Sequence, residues 1–339
     1  MWRALDSGYG YFERGRDSWK RSRSFWRLRA ERAATREEFV AALEAAVATL
    51  HDEGVTLSES TQRRVPYETD IHARRDQGRT IVAAVRAFSD ADVAGLRPGQ
   101  EITRVDGVTV EKAIVQRLGK SPATPRAVDW ALDRLFGGPQ SGLQRVEVRD
   151  GQRVVTFNIE RRAPANGNAS PPILGRRMGD ERDIGYLRLR IGASDGQFVE
   201  HFEGALHHLL DTRALIVDLR ENAAPGSPEI TKAILARFAA AAYRAPVAVL
   251  VDRWTAGEGE ALAAALRSTA NARLIGTATA GMRGDLREIR LPNSGIVVSF
   301  PAGGARGMLQ PDVAVDLAAP SGGPGDPILY QALKAFERR

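Results

Sequence analysis

Apolar positions along this chain of 339 residues change their spacing twice. Behind Thr35-Arg36-Glu37-Glu38-Phe39 they take helical spacing, with a threonine able to cap the helix and glutamates at its positive end. From residue 64 to 162 the segments shorten and carry turn signals. Residues 91–107 read as a short helix closed by Gly95, a Pro98-Gly99 turn, a strand, and an Asp106-Gly107 hairpin. A helix follows over 126–136, then alternating strands at 143–148 and 154–159 joined by Asp150-Gly151. Residues 163–182, rich in Pro, Gly, Asn and charge without periodicity, predict an exposed linker.

From Ile184 onward strands and helices alternate. Leu187, Leu189 and Ile191 interleave with Arg188 and Arg190, and a helix over 194–211 carries the stripe Phe198, Phe202, Leu206, Leu209 and Leu210. Apolar strands begin at Ala214, Val247 and Leu274, a hairpin pairs 288–291 with 296–300, and residues 326–336 close the chain as a helix. This order predicts an α/β fold with a largely parallel sheet covered by helices. The expected division is a helical region 1–63, a β domain 64–162, a linker 163–182 and an α/β domain 183–339.

One corner of the α/β domain carries the most chemistry. Val247-Ala248-Val249-Leu250-Val251 has the branching of a strand buried on both faces, and residues 260–268 have helix-forming composition. Between them runs Asp252-Arg253-Trp254-Thr255-Ala256-Gly257-Glu258-Gly259. A helix N-terminus offers unpaired N–H groups and partial positive charge, so a side chain at 257 would meet a developing oxyanion in a favourable field. Glycine brings no side chain, and a plain flexible turn is the competing reading.

The surrounding motifs resemble the tail-specific, or C-terminal processing, serine peptidases. The chain carries Asp218-Leu219-Arg220 with Asn222, Thr255 with Glu260, Leu274-Ile275-Gly276 with Thr279 and Gly281, and Gly307 with Pro311-Asp312, in that family's order. The resemblance covers nearly the whole chain and implies a crotonase-like α/β peptidase core with an N-terminal helical region. Residues 91–107 resemble the PDZ domain of bacterial proteases, which implies a PDZ-like β domain. Such domains take peptide C-termini as an added strand. The receiving strand is expected at Glu68, Thr69, Asp70, Ile71, His72 and Ala73, with a purely structural domain as the alternative.

The departures fall on the chemistry. By the resemblance, the nucleophilic serine is replaced by Gly257, the basic lysine by Met282, the histidine of some members by Gly54, and the oxyanion-loop glycines by Ala223 and Ala224. Arg220 and Glu260 remain, and the resemblance implies an ion pair bracing the active-site loops; an ordinary salt bridge is the alternative. A triad enzyme without nucleophile and base keeps roughly 10³ to 10⁴ of an acceleration that starts at about 10⁶. Thr255, Ser227, Thr277 and Thr279 lie near the motifs, but none has a visible base. Of five histidines, His51 falls closest to a catalytic position and reads as a helix-end residue. His201, His207 and His208 flank an apolar stripe. No His/Asp/Glu spacing resembles a metal site, so neither metal nor cofactor is expected.

Composition fits a chain with full cores: 43% of residues are hydrophobic, and there is no cysteine, which leaves the redox compartment open. No apolar run of about 18 residues predicts a membrane span, and the start Met1-Trp2-Arg3-Ala4-Leu5-Asp6 lacks a signal-peptide hydrophobic run. No compartment is assigned. The net charge of +6 equals the surplus of residues 1–36, which hold ten Lys/Arg against four Asp/Glu. Arg14, Arg16, Lys20, Arg21, Arg23, Arg27 and Arg29 interleave with Trp19, Phe25 and Trp26. That pattern allows binding to nucleic acid or an anionic membrane. The preferred reading has the aromatics as a packed face and the arginines as a wet one, with neither partner expected.

Two functional readings follow. The first is a homologue that binds extended peptides or protein C-termini without hydrolysis, because position 257 is glycine. The alternative is an active serine-type peptidase using a non-standard nucleophile, or an inactivated version of an active parent.

Overall fold

The computed structural model describes all residues except 13–15, 53, 62–68, 87–88, 120, 138–141, 162–170, 192–195, 223–226, 242, 282–284, 304–306, 319–325 and 338–339. In chain order the first elements are α1 (Trp2–Gly8), α2 (Arg16–Glu31), α3 (Arg36–Ala48), β1 (Thr56–Leu57), β2 (Ile71–Asp76), β3 (Arg79–Val85), α4 (Asp90–Ala94), β4 (Glu101–Val105), β5 (Val108–Thr109), α5 (Val110–Leu118), α6 (Pro125–Gly137), β6 (Gly142–Asp150) and β7 (Arg153–Arg161). Then come β8 (Ile173–Met178), β9 (Ile184–Leu189), α7 (Phe198–His207), β10 (Ala214–Asp218), α8 (Pro228–Ala240), β11 (Val247–Val251), α9 (Glu258–Thr269), β12 (Arg273–Gly276), β13 (Asp285–Arg290), β14 (Val297–Gly303), β15 (Val313–Ala314) and α10 (Pro327–Ala335).

The chain forms two compact units. One comprises Met1–Ala163 with Gly284–Ala305, the other Pro164–Arg283 with Arg306–Arg339. The second unit is built on a sheet of order β15-β12-β11-β10-β9-β8, parallel throughout except for the antiparallel edge strand β8. Every residue of β10 and β11 is buried, as a parallel sheet covered on both faces requires. Alternate residues divide between the faces. Leu215, Val217, Val249 and Val251 join a core with Phe198, Phe202, Ile234 and Leu262 from α7, α8 and α9. Ala214, Ile216, Ala248 and Leu250 join another with Ile328 and Ala332 of α10. Each fully buried aliphatic side chain here contributes about 1.5–3 kcal/mol relative to exposure.

The first unit has two cores. In one, the sheet β2-β3-β4-β6-β7 packs Ile71, Val82, Ile102, Val146 and Val148 against Leu118, Trp130 and Leu135 of α5 and α6. In the other, Leu5, Trp19, Val40, Leu43 and Val47 of the N-terminal helices meet Ile296, Val298 and Phe300. Thr35 caps α3 as expected, accepting from the Glu38 amide at 3.1 Å.

Three expectations change. Part of the 163–182 linker is strand: β8 pairs with β9 over Ile173–Met178, its edge position letting polar side chains point outward where no apolar alternation is needed. The stretch 183–339 is not one body, because the β13–β14 hairpin pairs with β1 and packs its buried face on the N-terminal helices. Finally, the aromatics of α2 do not form one packed face. Trp19 is buried and stacks on Trp2 at 3.6 Å, whereas Phe25 is 56% exposed.

Candidate functional site

The strand-to-helix corner after β11 lies wholly in the second unit. Gly257 is the residue before α9 and has φ 51° and ψ −118°, a region that side-chain-bearing residues enter only under strain. A sharp, strained strand-to-helix turn is also what displays the serine of nucleophile elbows. A Cβ built on Gly257 would meet no atom of the described residues within 4 Å. The corner therefore has the shape that presents a nucleophile, and open space where one would stand.

Backbone hydrogen bonds fix that shape. The Ala256 amide donates to the Asn222 carbonyl at 3.1 Å, and the Ala280 amide donates to the Thr255 carbonyl at 2.9 Å. Asn222 is buried, accepts from the Ile191 amide at 2.7 Å, and donates to the carbonyls of Leu189 (2.6 Å) and Leu219 (3.0 Å). Its close approach also explains Gly259, where a Cβ would lie 2.9 Å from Asn222 Cβ.

Beneath the corner lies a carboxylate that the sequence reading did not single out. Asp252 is 7% exposed and accepts from the amides of Trp254 (3.0 Å) and Glu221 (3.2 Å) and from the Thr255 hydroxyl (3.0 Å). Burial pushes its carboxyl up to about 6, against the partial relief of the distant Arg220 charge and of those donors. Its place directly after an all-apolar strand was the available sequence signal.

Arg220 and Glu260 are both in place, but the expected ion pair between them is not formed. Arg220 follows β10 and lies across two carboxylates. Its Nε and Nη2 reach Asp218 at 2.9 and 2.7 Å, and its Nη1 and Nη2 reach Asp326 at 2.7 and 2.6 Å. Asp326 also caps α10 through the Leu329 amide at 3.0 Å. Burial opposes the charges of Asp218 and Arg220, yet their mutual attraction prevails. The Asp218 carboxyl is held below its ordinary range and the Arg220 guanidinium far above its own. Tyr186 completes the cluster by donating to Asp218 at 2.7 Å. Glu260, with no exposed surface, instead accepts from the Thr279 hydroxyl and from the Gly281 amide at 2.9 Å. It ties α9 to the segment after β12. Among the described residues the two side chains serve different contacts, because the nearest carboxylates to Arg220 are those at its own strand end and at the start of α10.

The substitute nucleophiles are engaged or buried. Thr255 Oγ1 lies 3.1 Å from the Leu219 carbonyl and Thr279 Oγ1 accepts from the Leu309 amide at 2.8 Å; neither residue has exposed surface. The Thr277 hydroxyl is buried, and Ser227 donates to Glu229 at 2.6 Å. Met282, Ala223 and Ala224 lie outside the described residues.

Gly54, in the first unit, differs from Gly257. It is buried, its amide donates to Asp52 at 2.8 Å, and a Cβ there would lie 2.9 Å from Pro301 Cγ and 3.1 Å from Asp52 Oδ1. The position is filled by its neighbours and leaves no room for an imidazole. His51 is past the end of α3 rather than on it, at φ 47°, with its ring 5.0 Å from that of Trp130 and tilted 58° to it. Burial, then the Arg126 charge, lowers its pKa. Among the described residues no three His, Cys, Asp or Glu side chains group as a metal would need.

Of the expected receiving strand, Ile71, His72 and Ala73 lie on β2, preceded by Thr69 and Asp70, while Glu68 is outside the described residues. β2 stands at the end of its sheet, and its described pairing is with β3. His72 Nδ1 lies 3.3 Å from Asp133 Oδ1 of α6, so the strand and that helix are tied side by side. Asp70 pairs with Arg86.

The fold is α/β, and its strand-to-helix corner carries glycine at position 257. Comparison with known proteins agrees on the class. Residues 224–306 match the model of peptidase family S41. A carboxyl-terminal-processing protease of Synechocystis sp. is 27% identical over 227 residues, covering 59% of this chain and 48% of that protein. The chain thus spans about half the length of the curated relative it matches. Among solved structures, the photosystem II D1 C-terminal processing protease superposes with a TM-score of 0.55 at 18% identity, covering 93% of this chain and 91% of that one. Mature CPAF does so with 0.53 at 14%, covering 92% and 90%. At such identities the superpositions establish the fold. The motif order, the family-model match and the curated relative make the chain similar to the C-terminal processing peptidases over its α/β part.

Proposed function

We propose that this chain is a non-hydrolysing member of that family which captures extended peptides or protein C-termini. The observation that carries the reading is the corner at Gly257: the strained backbone is kept, the space above it is open, and no oxygen stands there to attack a carbonyl. An acyl intermediate needs such an oxygen. The neighbouring hydroxyls are held by carbonyls, carboxylates or burial. Ligand capture is assigned to β2, taken as the receiving edge of a PDZ-like sheet, with α6 alongside. An added strand would gain main-chain hydrogen bonds at that edge, and alternate side chains would give selectivity.

The test combines a serine-reactive fluorophosphonate probe, a quenched peptide library with free C-termini, and fluorescence polarisation of the same peptides. The native chain is expected to remain unlabelled, to leave the library intact, and to bind some peptides with a loss of affinity when their C-termini are amidated. The double variant Gly257→Ser with Met282→Lys is expected to gain labelling. Turnover by the native chain overturns the reading in favour of a working peptidase, and absence of carboxylate-dependent binding overturns its ligand half.

A further inference from the structure

The surface of α2 carries an arrangement that peptide capture does not use. Trp19 turns inward, so the opposite side of the helix faces solvent. Along it run Arg21, Phe25, Leu28 and Arg32, spaced by four, three and four residues and therefore stacked in one stripe. Phe25 is 56% and Leu28 46% exposed. Lys20 and Arg29 are exposed beside them, and among the described residues Lys20, Arg21 and Arg32 form no ion pair. Arg27 is offset by Glu31 at 2.7 Å, and Arg29 lies over the Trp26 ring at 5.9 Å. Arg14 lies outside the described residues.

We propose that this face of α2 docks on an anionic lipid bilayer, lying in the plane of its surface. Two exposed apolar side chains with a cation at each end of their stripe, and Lys20 and Arg29 beside it, match such a surface: acyl boundary at Phe25 and Leu28, phosphates at the cations. The charge selects the occupant. A second copy of the chain would bring the same cations face to face, which disfavours self-pairing through this stripe. Nucleic acid would satisfy the cations, but Leu28 offers no stacking face to a base. Among the described residues no helix is long and apolar enough to cross a membrane, so attachment would be peripheral and salt-sensitive.

The test is co-sedimentation of the full chain with phosphatidylcholine vesicles and with vesicles containing about a third phosphatidylglycerol. Binding is expected on the anionic vesicles alone, and raising salt to about 0.5 M should release it. Arg21→Ser should weaken it about fivefold, and Phe25→Ser with Leu28→Ser at least tenfold, with thermal unfolding unchanged because these side chains are exposed. Equal binding to both vesicle types, or binding unaffected by the Phe25 and Leu28 changes, overturns the proposal. So does a charge-reversed outcome in which the same substitutions abolish self-association or duplex DNA binding and leave vesicle binding intact.

Discussion

Two glycines stand where the resemblance to C-terminal processing peptidases would put catalytic side chains, and their surroundings are opposite. Gly257 has a left-handed backbone and empty space; Gly54 has an ordinary backbone and neighbours already in contact with where a Cβ would go. The corner at Gly257 needs no side chain of its own to keep its geometry, since other residues such as Asn222 and Asp252 hold it. A position shaped by packing is closed by it. Gly257 thus stands on a supported, strained corner, and Gly54 is a piece of the first unit's core.

If the supports of the corner were as dispensable as its chemistry, disrupting them would cost little. The structure requires the opposite. Arg220→Leu strands Asp218, only 1% exposed, without its counter-ion and leaves Asp326 with only the α10 cap. Breaking one partner out of a buried pair costs about 3–5 kcal/mol. Urea unfolding of the full chain should record a loss of that order, and a loss below about 1 kcal/mol would mean that Arg220 is a surface brace after all.

Asp252 gives the next largest effect, and its sign is distinctive. Its carboxyl is raised to about 6 in the folded chain from an ordinary 3.8. Between those values the folded state holds a proton that the unfolded chain releases, so stability falls as pH rises from about 4 to about 6 and is level above. Two units correspond to about 3 kcal/mol as an upper bound. Asp218, held low, acts only below about pH 4 and with the opposite sign. Asp252→Asn keeps a carbonyl acceptor for the Trp254 and Glu221 amides and should flatten the decline between pH 4 and 6. Parallel stability curves for variant and native chain would remove Asp252 from the account.

The contrast between the glycines was only half legible in the sequence. Strand runs such as 247–251 announced themselves because a parallel strand buried on both faces must be continuously apolar. The turn at Gly257 was legible as the link between an apolar strand and a helix. Gly54 was placed by a short motif, and nothing in Leu50-His51-Asp52 reveals that Pro301, some 250 residues on, fills the space. The same limit hid β8, whose edge position imposes little apolar alternation. It also hid Arg220's second partner, since Asp326 lies 106 residues away and reads locally as a helix cap. Phe25 was misplaced because helical spacing shows which residues share a face and not which face meets the core.

The smallest effects separate the two glycines most directly. At Gly257 the cost of any side chain is conformational, about 1–2 kcal/mol from the positive φ, and does not depend on size because the space is open. Alanine and serine there should destabilise equally, within about 0.5 kcal/mol. At Gly54 the cost is steric, about 1–3 kcal/mol for alanine as Pro301 and Asp52 give way, and it should climb from alanine to serine to valine. A series of thermal or urea unfolding curves reads both slopes. A flat series at 54 would make that position as empty as the corner and restore it as a lost catalytic site. A rising series at 257 would mean that the space above the corner is occupied in solution, leaving no room for the hydroxyl that defines the family's chemistry.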